Sequence, residues 1–311
     1  MISNSAMRIF LTGATGYIGS AVMEAALRGG HQVTALVRNP EKAEHVSMRG
    51  ATPIIGDLLK PESYAAAAEH GDAIVHAALE SKRAQAVDRQ AIETLTDAAA
   101  RRVDAGLAAA FVYTSGVWVL GDTQGEAAED TPVNPTPLVA WRPAHEALVA
   151  ARSCGGAIRT AIVRPGVVYG GARGIIGDLL KDARNGLVRV VGDGRNHWSC
   201  VYDRDLADLY VRVAVNPGAS GIYHVNDEAD ESVSDIVDAI SGHVRMRPDI
   251  RHVPLEEARA KMGPYADALV LNQIVRSPRA HALGWAPTLH SVAGNVARLL
   301  EEFRSACEAA A

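Results

Sequence analysis

The sequence predicts an α/β fold, a doubly wound parallel sheet with a smaller α/β C-terminal lobe, and three observations predict it. Short apolar runs alternate with helical patterns over the first half, the rhythm of a parallel sheet covered on both faces. Glycines recur three residues apart, at Gly13, Gly16 and Gly19, where the first apolar run gives way to a helical stripe. Beyond Pro165 the alternation becomes irregular and helical patterns then dominate, which marks a second, smaller lobe.

The apolar run at 9–11 is the first buried strand, and 17–27 carries Ile18, Ala21, Val22, Ala25 and Ala26 as a helical stripe. A second strand at 32–37, a short helix at 40–48 and a third strand at 52–55, ended by Gly56-Asp57, follow. A helix over 61–69 leads to a fourth strand at 73–76. The long helix at 84–103 sets Val87, Ala91, Leu95 and Ala98 or Ala99 on one face. After a fifth strand at 109–113, the loop 121–137 is rich in Gly, Asp and Pro, which predicts a mobile surface segment. A helix at 138–152 and a sixth strand at 158–164 complete the alternating pattern, and later helical patterns stand at 232–243, 254–261 and 291–303. The predicted division is a nucleotide-binding domain over 1–165, with a returning segment near 196–226, and a mainly substrate-binding lobe over 166–311.

With 311 residues, nearly half of them apolar, and a net charge of −5, the chain is globular with ample material for a core. Nothing is basic enough to point to nucleic acid, and no apolar run approaches the ~18 residues of a membrane span. Met1 to Ala6 lack the features of a signal peptide. Cys154, Cys200 and Cys307 are too few and scattered for a disulfide framework or a zinc site, so no metal is expected and the expected compartment is cytoplasmic.

Ligands of such sheets bind at the carboxyl ends of the strands, near the switch in strand order. That singles out Gly13, Arg38, Asp57, Ala77 and the stretch 114–116. Gly13 suits the tight turn, Gly16 lets backbone approach a pyrophosphate, and Gly19 lets helix pack closely on strand. The helix start adds N–H groups and a positive dipole end, so the segment reads as a dinucleotide site. The second strand ends Leu36-Val37-Arg38-Asn39, without the acid that would bind ribose hydroxyls. The Arg38 guanidinium suits a 2′-phosphate, which favours NADP(H) over NAD; the alternative is a solvated arginine at a strand end.

Further marks run in order along the chain: Thr12-Gly13-Ala14-Thr15-Gly16-Tyr17-Ile18-Gly19, Gly56-Asp57, Val75-His76-Ala77-Ala78 and Phe111-Val112-Tyr113-Thr114-Ser115. Arg164-Pro165-Gly166-Val167-Val168-Tyr169-Gly170, Gly192-Asp193-Gly194, Asp203-Arg204-Asp205-Leu206-Ala207 and Leu283-Gly284-Trp285-Ala286-Pro287 continue the series. Together they resemble the extended short-chain dehydrogenase/reductase family, the NAD-dependent epimerase/dehydratase-like group built on a Rossmann sheet. The resemblance implies that Gly13, Thr15, Gly16, Tyr17, Ile18 and Gly19 hold the pyrophosphate. It puts Asp57 and Leu58 by the adenine, Ala77 and Ala78 along the cofactor, and Pro165, Gly166 and Val168 near the nicotinamide.

Family members carry a Tyr-x-x-x-Lys pair on the helix before the sixth strand. Registering that helix puts Trp141 at the tyrosine position and His145 at the lysine position, and the usual serine falls on Gly116, beside Ser115 and Thr114. An indole only donates, so carbonyl chemistry by a tyrosine is excluded in that register. Three roles are open to His145: the ribose-binding cation, the general acid or base itself, or packing. Glu146 is adjacent on the helix and makes no dyad with it. Arg142 stands at the helix entry, to meet an anion or to be solvated. Ser115 offers either a catalytic hydroxyl or one that satisfies loop backbone. Tyr169 offers a phenol or packs with its hydroxyl bonded. Arg195, Asn196, His197 and Trp198 fall where relatives hold substrate and, with Trp141, form either a substrate site or a polar turn.

The resemblance implies an NAD(P)-dependent oxidoreductase or epimerase/dehydratase-like enzyme with a non-standard proton donor, acting on a small carbonyl, hydroxyl or sugar-type substrate. The alternatives are an NADP(H)-binding sensor without turnover and a redox-neutral enzyme on the same fold. It also implies a homodimer through a four-helix bundle, with Ala84, Val87, Ala91, Leu95 and Ala98 on one helix and Ala140, Ala144, Ala147, Leu148 and Ala151 on the other; the alternative is that these pack on the chain's own sheet.

Overall fold

A computed structural model describes residues 6–153 and 158–309. Cys154 and residues 1–5 of the leading segment lie outside the described residues. Seven strands form the main sheet: β1 Arg8–Thr12, β2 Gln32–Val37, β3 Thr52–Ile55, β4 Ala73–His76, β5 Ala110–Thr114, β6 Arg159–Pro165 and β7 Gly221–Val225. Their order is β7-β6-β5-β4-β1-β2-β3, the doubly wound arrangement expected, with its switch between β1 and β4. The pairs β1–β2, β1–β4, β2–β3, β4–β5 and β5–β6 are parallel. Phe10, Leu11, Ala35, Phe111, Val112 and Val163 are fully buried, so the central strands are covered on both faces, as crossover helices require.

The helices of this sheet are α1 Tyr17–Arg28, α2 Pro40–Ser47, α3 Ala65–Ala68, α4 Ala84–Asp104 and α5 Arg142–Ala151. Local chemistry sets several ends. Asn39 caps α2, accepting from the Lys42 N–H at 2.9 Å, and Pro40 sits in the first turn, where its missing N–H costs nothing. The helix expected over 61–69 divides into a 3₁₀ turn, Pro61–Ser63, and α3. Tyr64 at the junction has φ −139°, outside helical values, and its ring is buried. The helix expected over 138–152 divides likewise, into a 3₁₀ turn Pro137–Val139 and α5, because Pro143 fits only a first helical turn.

The chain gathers into two compact units. The first takes the residues up to Ser115, then Trp141–Arg164 and Leu206–Tyr223. The second takes Gly116–Ala140, Pro165–Asp205 and the chain from His224 onward. Within the first unit, Arg159 of β6 donates to the carbonyls of Val213 (2.8 Å), Ala214 (2.6 Å) and Ala219 (2.7 Å). The first two carbonyls belong to the last turn of helix Asp203–Val215, whose final acceptors have no partner within the helix. One guanidinium thus fastens the returning segment to the sheet. Arg164 and Glu146 form a buried two-point ion pair at 2.9 and 2.5 Å, so Glu146 serves β6 and has no part with its neighbour His145.

The stripe Val87, Ala91, Leu95 and Ala98 of α4 is buried in the unit's own core. On α5, Ala144, Ala147 and Ala151 are exposed.

The second unit has a core of Tyr169, Ile176, Trp198, Tyr202, Ile236 and Phe303 with their neighbours. Strand Val167–Tyr169 pairs with Cys200–Tyr202, and Leu187–Val191 with Asp249–Val253. The loop at 121–137 is tied down, contrary to its composition. Glu126–Ala127 pairs with Ile274–Val275, the Thr123 N–H reaches the Asn272 carbonyl at 2.9 Å, and the Gln273 amide donates to Val117 and Gly121. Turn-forming residues report where the backbone bends, but the strand it docks on lies about 150 positions away. Among the described residues no helix is long and apolar enough to cross a membrane, and no group of three His, Cys, Asp or Glu could hold a metal.

Replacing Arg159 with methionine leaves three buried carbonyls without a donor and is expected to cost about 3 kcal/mol of unfolding free energy. A urea titration measures it, and an unchanged midpoint would show that the fastening contributes nothing.

Candidate active site

The turn between β1 and α1 is built so that backbone meets backbone. Gly13 has φ +79°, and a Cβ there would lie 2.7 Å from the carbonyl of Ala77 and the nitrogen of Ala78. A Cβ on Gly19 would lie 2.1 Å from the Gly13 oxygen, and the Gly16 N–H donates to that same oxygen at 2.7 Å. Gly13, Gly19, Ala77 and Ala78, distant in sequence, therefore close on one another. Thr15, Gly16, Tyr17 and Ile18 line the half-buried turn, no side chain caps α1, and its first turn carries no acid. The N-terminal dipole of α1 is left uncompensated by carboxylate, and the cradle excludes any side chain larger than hydrogen, which fits a pyrophosphate.

At the end of β2, Val37 is buried and Arg38 is exposed, with no hydrogen bond or ion pair among the described residues. Asp57 and Leu58 are half-buried after β3; the Asp57 carboxylate accepts from the Leu59 N–H at 3.0 Å, and the Asp57 N–H donates to Ser63 Oγ at 3.0 Å.

A polar cluster is buried at the carboxyl ends of β1, β4 and β5. Asp88, 4% exposed on α4, is its hub. Its Oδ2 accepts from the Tyr113 hydroxyl at 2.6 Å and meets His145 Nδ1 at 2.7 Å, while its Oδ1 faces His76 Nε2 at 3.3 Å. His76 Nδ1 in turn lies 2.7 Å from Thr12 Oγ1, which accepts from the Ala78 N–H at 3.3 Å. Burial would raise the Asp88 carboxyl, but hydrogen bonds from His145, His76 and Tyr113 outweigh it and hold the group well below the usual carboxylate range. Burial and the neighbouring Asp88 push the Tyr113 phenol far up.

Trp141 stands edge-on to His145, ring centroids 4.8 Å apart, and the Arg142 guanidinium lies 4.5 Å from the Trp141 ring centre. Arg142 is not a free surface cation: it donates to the Thr114 carbonyl at 3.0 Å and the Tyr113 hydroxyl at 3.3 Å. Thr114 Oγ1 accepts from the Tyr210 hydroxyl at 2.7 Å. The Ser115 hydroxyl is buried and has no hydrogen-bond partner among the described residues.

In the second unit the candidate residues have separate surroundings. Gly116 is extended, and a Cβ there would meet only the Pro165 carbonyl, at 3.8 Å. Gly166 donates from its N–H to the Val225 carbonyl at 3.0 Å, and Val168 pairs with Val201. Tyr169 is fully buried against Tyr202, its hydroxyl donating to the Leu289 carbonyl at 3.3 Å, and burial raises its pKa strongly. Burial also holds the neighbouring Asp227 carboxyl up at about 7. Arg195 is in solvent, His197 Nδ1 lies 2.8 Å from Asn272 Oδ1, and Trp198 is a core ring whose indole donates to the Leu269 carbonyl at 3.1 Å. Adjacency in sequence does not make these three a cluster.

Sequence reasoning passed over Thr12, His76, Asp88 and Tyr113 as site residues. The signal for Asp88 is an acid three and four positions before Ala91 and Ile92, on the buried face of α4. For His76 it is an imidazole closing a run of buried residues in β4.

Residues 9–226 match the NAD dependent epimerase/dehydratase family. Protein C2A9.02 of Schizosaccharomyces pombe is 29% identical over 293 residues, which cover 91% of this chain and 95% of that protein. The 2-alkyl-3-oxoalkanoate reductase of Stenotrophomonas maltophilia is 29% identical over 228 residues, covering 69% and 68% of the two chains. The crystal structure of human epimerase family protein SDR39U1 with NADPH superposes with a TM-score of 0.78 over 95% of this chain and 99% of that one, at 22% identity, a likeness of fold. The matched stretch takes in the glycine cradle, the Ala77-Ala78 contact and the buried cluster at the strand ends, and the chain is a member of the NAD-dependent epimerase/dehydratase family.

Proposed function

We propose that the protein is an NADP(H)-dependent oxidoreductase of epimerase/dehydratase type, acting on a small carbonyl, hydroxyl or sugar-type substrate without a tyrosine proton donor. The observation that carries this reading is the pairing of a side-chain-free pyrophosphate cradle with a buried acid–base cluster at the carboxyl ends of the same sheet. A bound dihydronicotinamide supplies hydride. The chain supplies the rest: the α1 turn binds the pyrophosphate, Asp57 and Leu58 flank the adenine, and Pro165, Gly166 and Val168 border the nicotinamide. Ser115, whose buried hydroxyl is uncommitted, is assigned to the substrate oxygen. Trp141 and His145 are assigned the register of the family's tyrosine and lysine, and the Trp141 ring stands edge-on to His145. In the second unit, Arg195 and His197 are the polar groups assigned to the substrate.

Trp141 in that register favours a second reading, a sensor that binds NADPH without turnover, because an indole cannot cycle a proton. One assay separates the two. NADPH fluorescence is followed against a 3-oxo ester, an aromatic aldehyde and a UDP-sugar; steady loss of signal supports the enzyme. Tight binding with no loss on any of the three would support the sensor.

Arg38, free of acidic partners and with no acid before it, is assigned to the 2′-phosphate. NADPH is expected to bind at least about tenfold more tightly than NADH, a gap of about 1.4 kcal/mol. Arg38→Ala should remove most of that gap and leave NADH affinity nearly unchanged, as isothermal titration would show. Equal affinities in the wild-type protein would sink the assignment.

We also propose a homodimer, through the exposed small residues of α5. Because Ala91 is buried in its own protomer, a charge there would test folding and not assembly. Ala144→Glu and Ala147→Glu are the informative changes. Light scattering at micromolar concentration should give twice the chain mass for the wild type and the single mass for both variants; a wild-type monomer would refute the dimer.

A further inference from the structure

The hydrogen bonds to Asp88 fix the protons on the ring nitrogens that face it. Thr12 Oγ1 accepts from the Ala78 N–H and lies 2.7 Å from His76 Nδ1. Facing the ionised Asp88, His76 carries a proton on Nε2 and donates to Oδ1. An ionised carboxylate only accepts, so the His145 Nδ1 facing Asp88 Oδ2 at 2.7 Å must be protonated. The other ring nitrogen, Nε2, makes no hydrogen bond among the described residues. Arg142 donates to Tyr113 and Thr114, and among the described residues no Lys or Arg makes a salt bridge with Asp88.

A carboxylate at a position 4% exposed is a poor choice for packing alone. An apolar side chain there would avoid the desolvation of a charge, and removing a well-buried ion by an apolar residue is often neutral or stabilising. What the carboxylate does, that an apolar residue cannot, is fix the tautomer and ring plane of His145 and stand as counter-charge when that ring is cationic.

We propose that Asp88 and His145 form an oriented acid–base pair, Asp88 the positioning residue and His145 Nε2 the proton-transferring atom, in place of the family's tyrosine. The inference rests on the oxidoreductase reading above. In reduction, imidazolium Nε2 would give its proton to the substrate oxygen, which takes up the C=O π pair, and a bound dihydronicotinamide would supply the hydride to the carbonyl carbon. The N–H bonding pair returns to the ring, which is left neutral with its proton on Nδ1, held by Asp88. The arrangement has the logic of the carboxylate–histidine half of a Ser-His-Asp triad, where the acid stays ionised and the wrong tautomer lowers kcat about 10⁴-fold.

The test is nitrogen NMR of ¹⁵N-histidine-labelled protein, wild type, Asp88→Asn and His145→Gln, each with and without NADP⁺. The His145 signal, identified by its loss in His145→Gln, is expected to show the Nδ1-protonated neutral form, with an Nε2 resonance that moves when NADP⁺ is added. In Asp88→Asn the amide can turn a donor toward Nδ1, and the proton is expected to move to Nε2. On whichever probe the NADPH assay shows to react, Asp88→Asn should lower kcat about 100-fold or more, the scale of general acid–base catalysis, with KM and NADPH affinity within about twofold. Wild-type His145 protonated on Nε2, or an Nε2 resonance indifferent to NADP⁺, would overturn the pair, and neither observation depends on how well a variant folds. An unchanged kcat in Asp88→Asn would overturn it as well. Failure of the cofactor reading shows separately, as absence of NADPH binding by the wild-type protein.

Discussion

Everything near the β1–α1 turn depends on one steric constraint, the approach of backbone to backbone where side chains are excluded. The Gly13 carbonyl occupies the space a Cβ of Gly19 would need, so α1 starts directly against the strand it follows. The same turn brings Gly13 against the peptide joining Ala77 and Ala78, which fixes β1 and β4 at the switch in strand order. Because the contact is made of main chain, the cradle presents N–H groups and a helix dipole, the two things an anion needs. Thr12 links this turn to the polar cluster: its hydroxyl accepts from Ala78 on one side and meets His76 on the other.

That cluster is unusual in its charge balance. Asp88 is kept ionised by hydrogen bonds from two imidazoles and a phenol, while the arginine nearby serves a carbonyl and the same phenol. A second buried acid, Glu146 of α5, is neutralised outright by Arg164 through a two-point contact. The contrast is physical. A guanidinium brings a permanent charge to a carboxylate, whereas an imidazole can donate to it while itself neutral.

The second unit shows how the same residue types become structural once buried. Tyr169 and Trp198 donate to main-chain carbonyls from within a core, and the phenol of Tyr169 is driven up by desolvation. Asp205 of the family-like Asp203-Arg204-Asp205 stretch spends its carboxylate on Thr288 and Leu289, binding the start of the C-terminal segment at 2.7–3.1 Å. These groups satisfy backbone that an irregular connection would otherwise leave unpaired.

Much of the fold was legible in the sequence. Local periodicity set the strands at 32–37, 52–55 and 73–76 to the residue, and the glycine spacing located the cradle, because both follow from interactions within a few positions. Arg38 without an acidic neighbour is likewise a fact of sequence. What the sequence alone could not decide is which polar residues meet. Asp88 joins partners 12, 25 and 57 positions away, and Arg159 fastens carbonyls more than 50 positions on. The docking of 121–137 on 272–275 is of the same kind: it is settled by pairing between segments far apart in the chain, and no periodicity carries that information. The spacing of residues determined where the glycine turn lies; only the packed sheet determined that a carboxylate on α4 would meet His145.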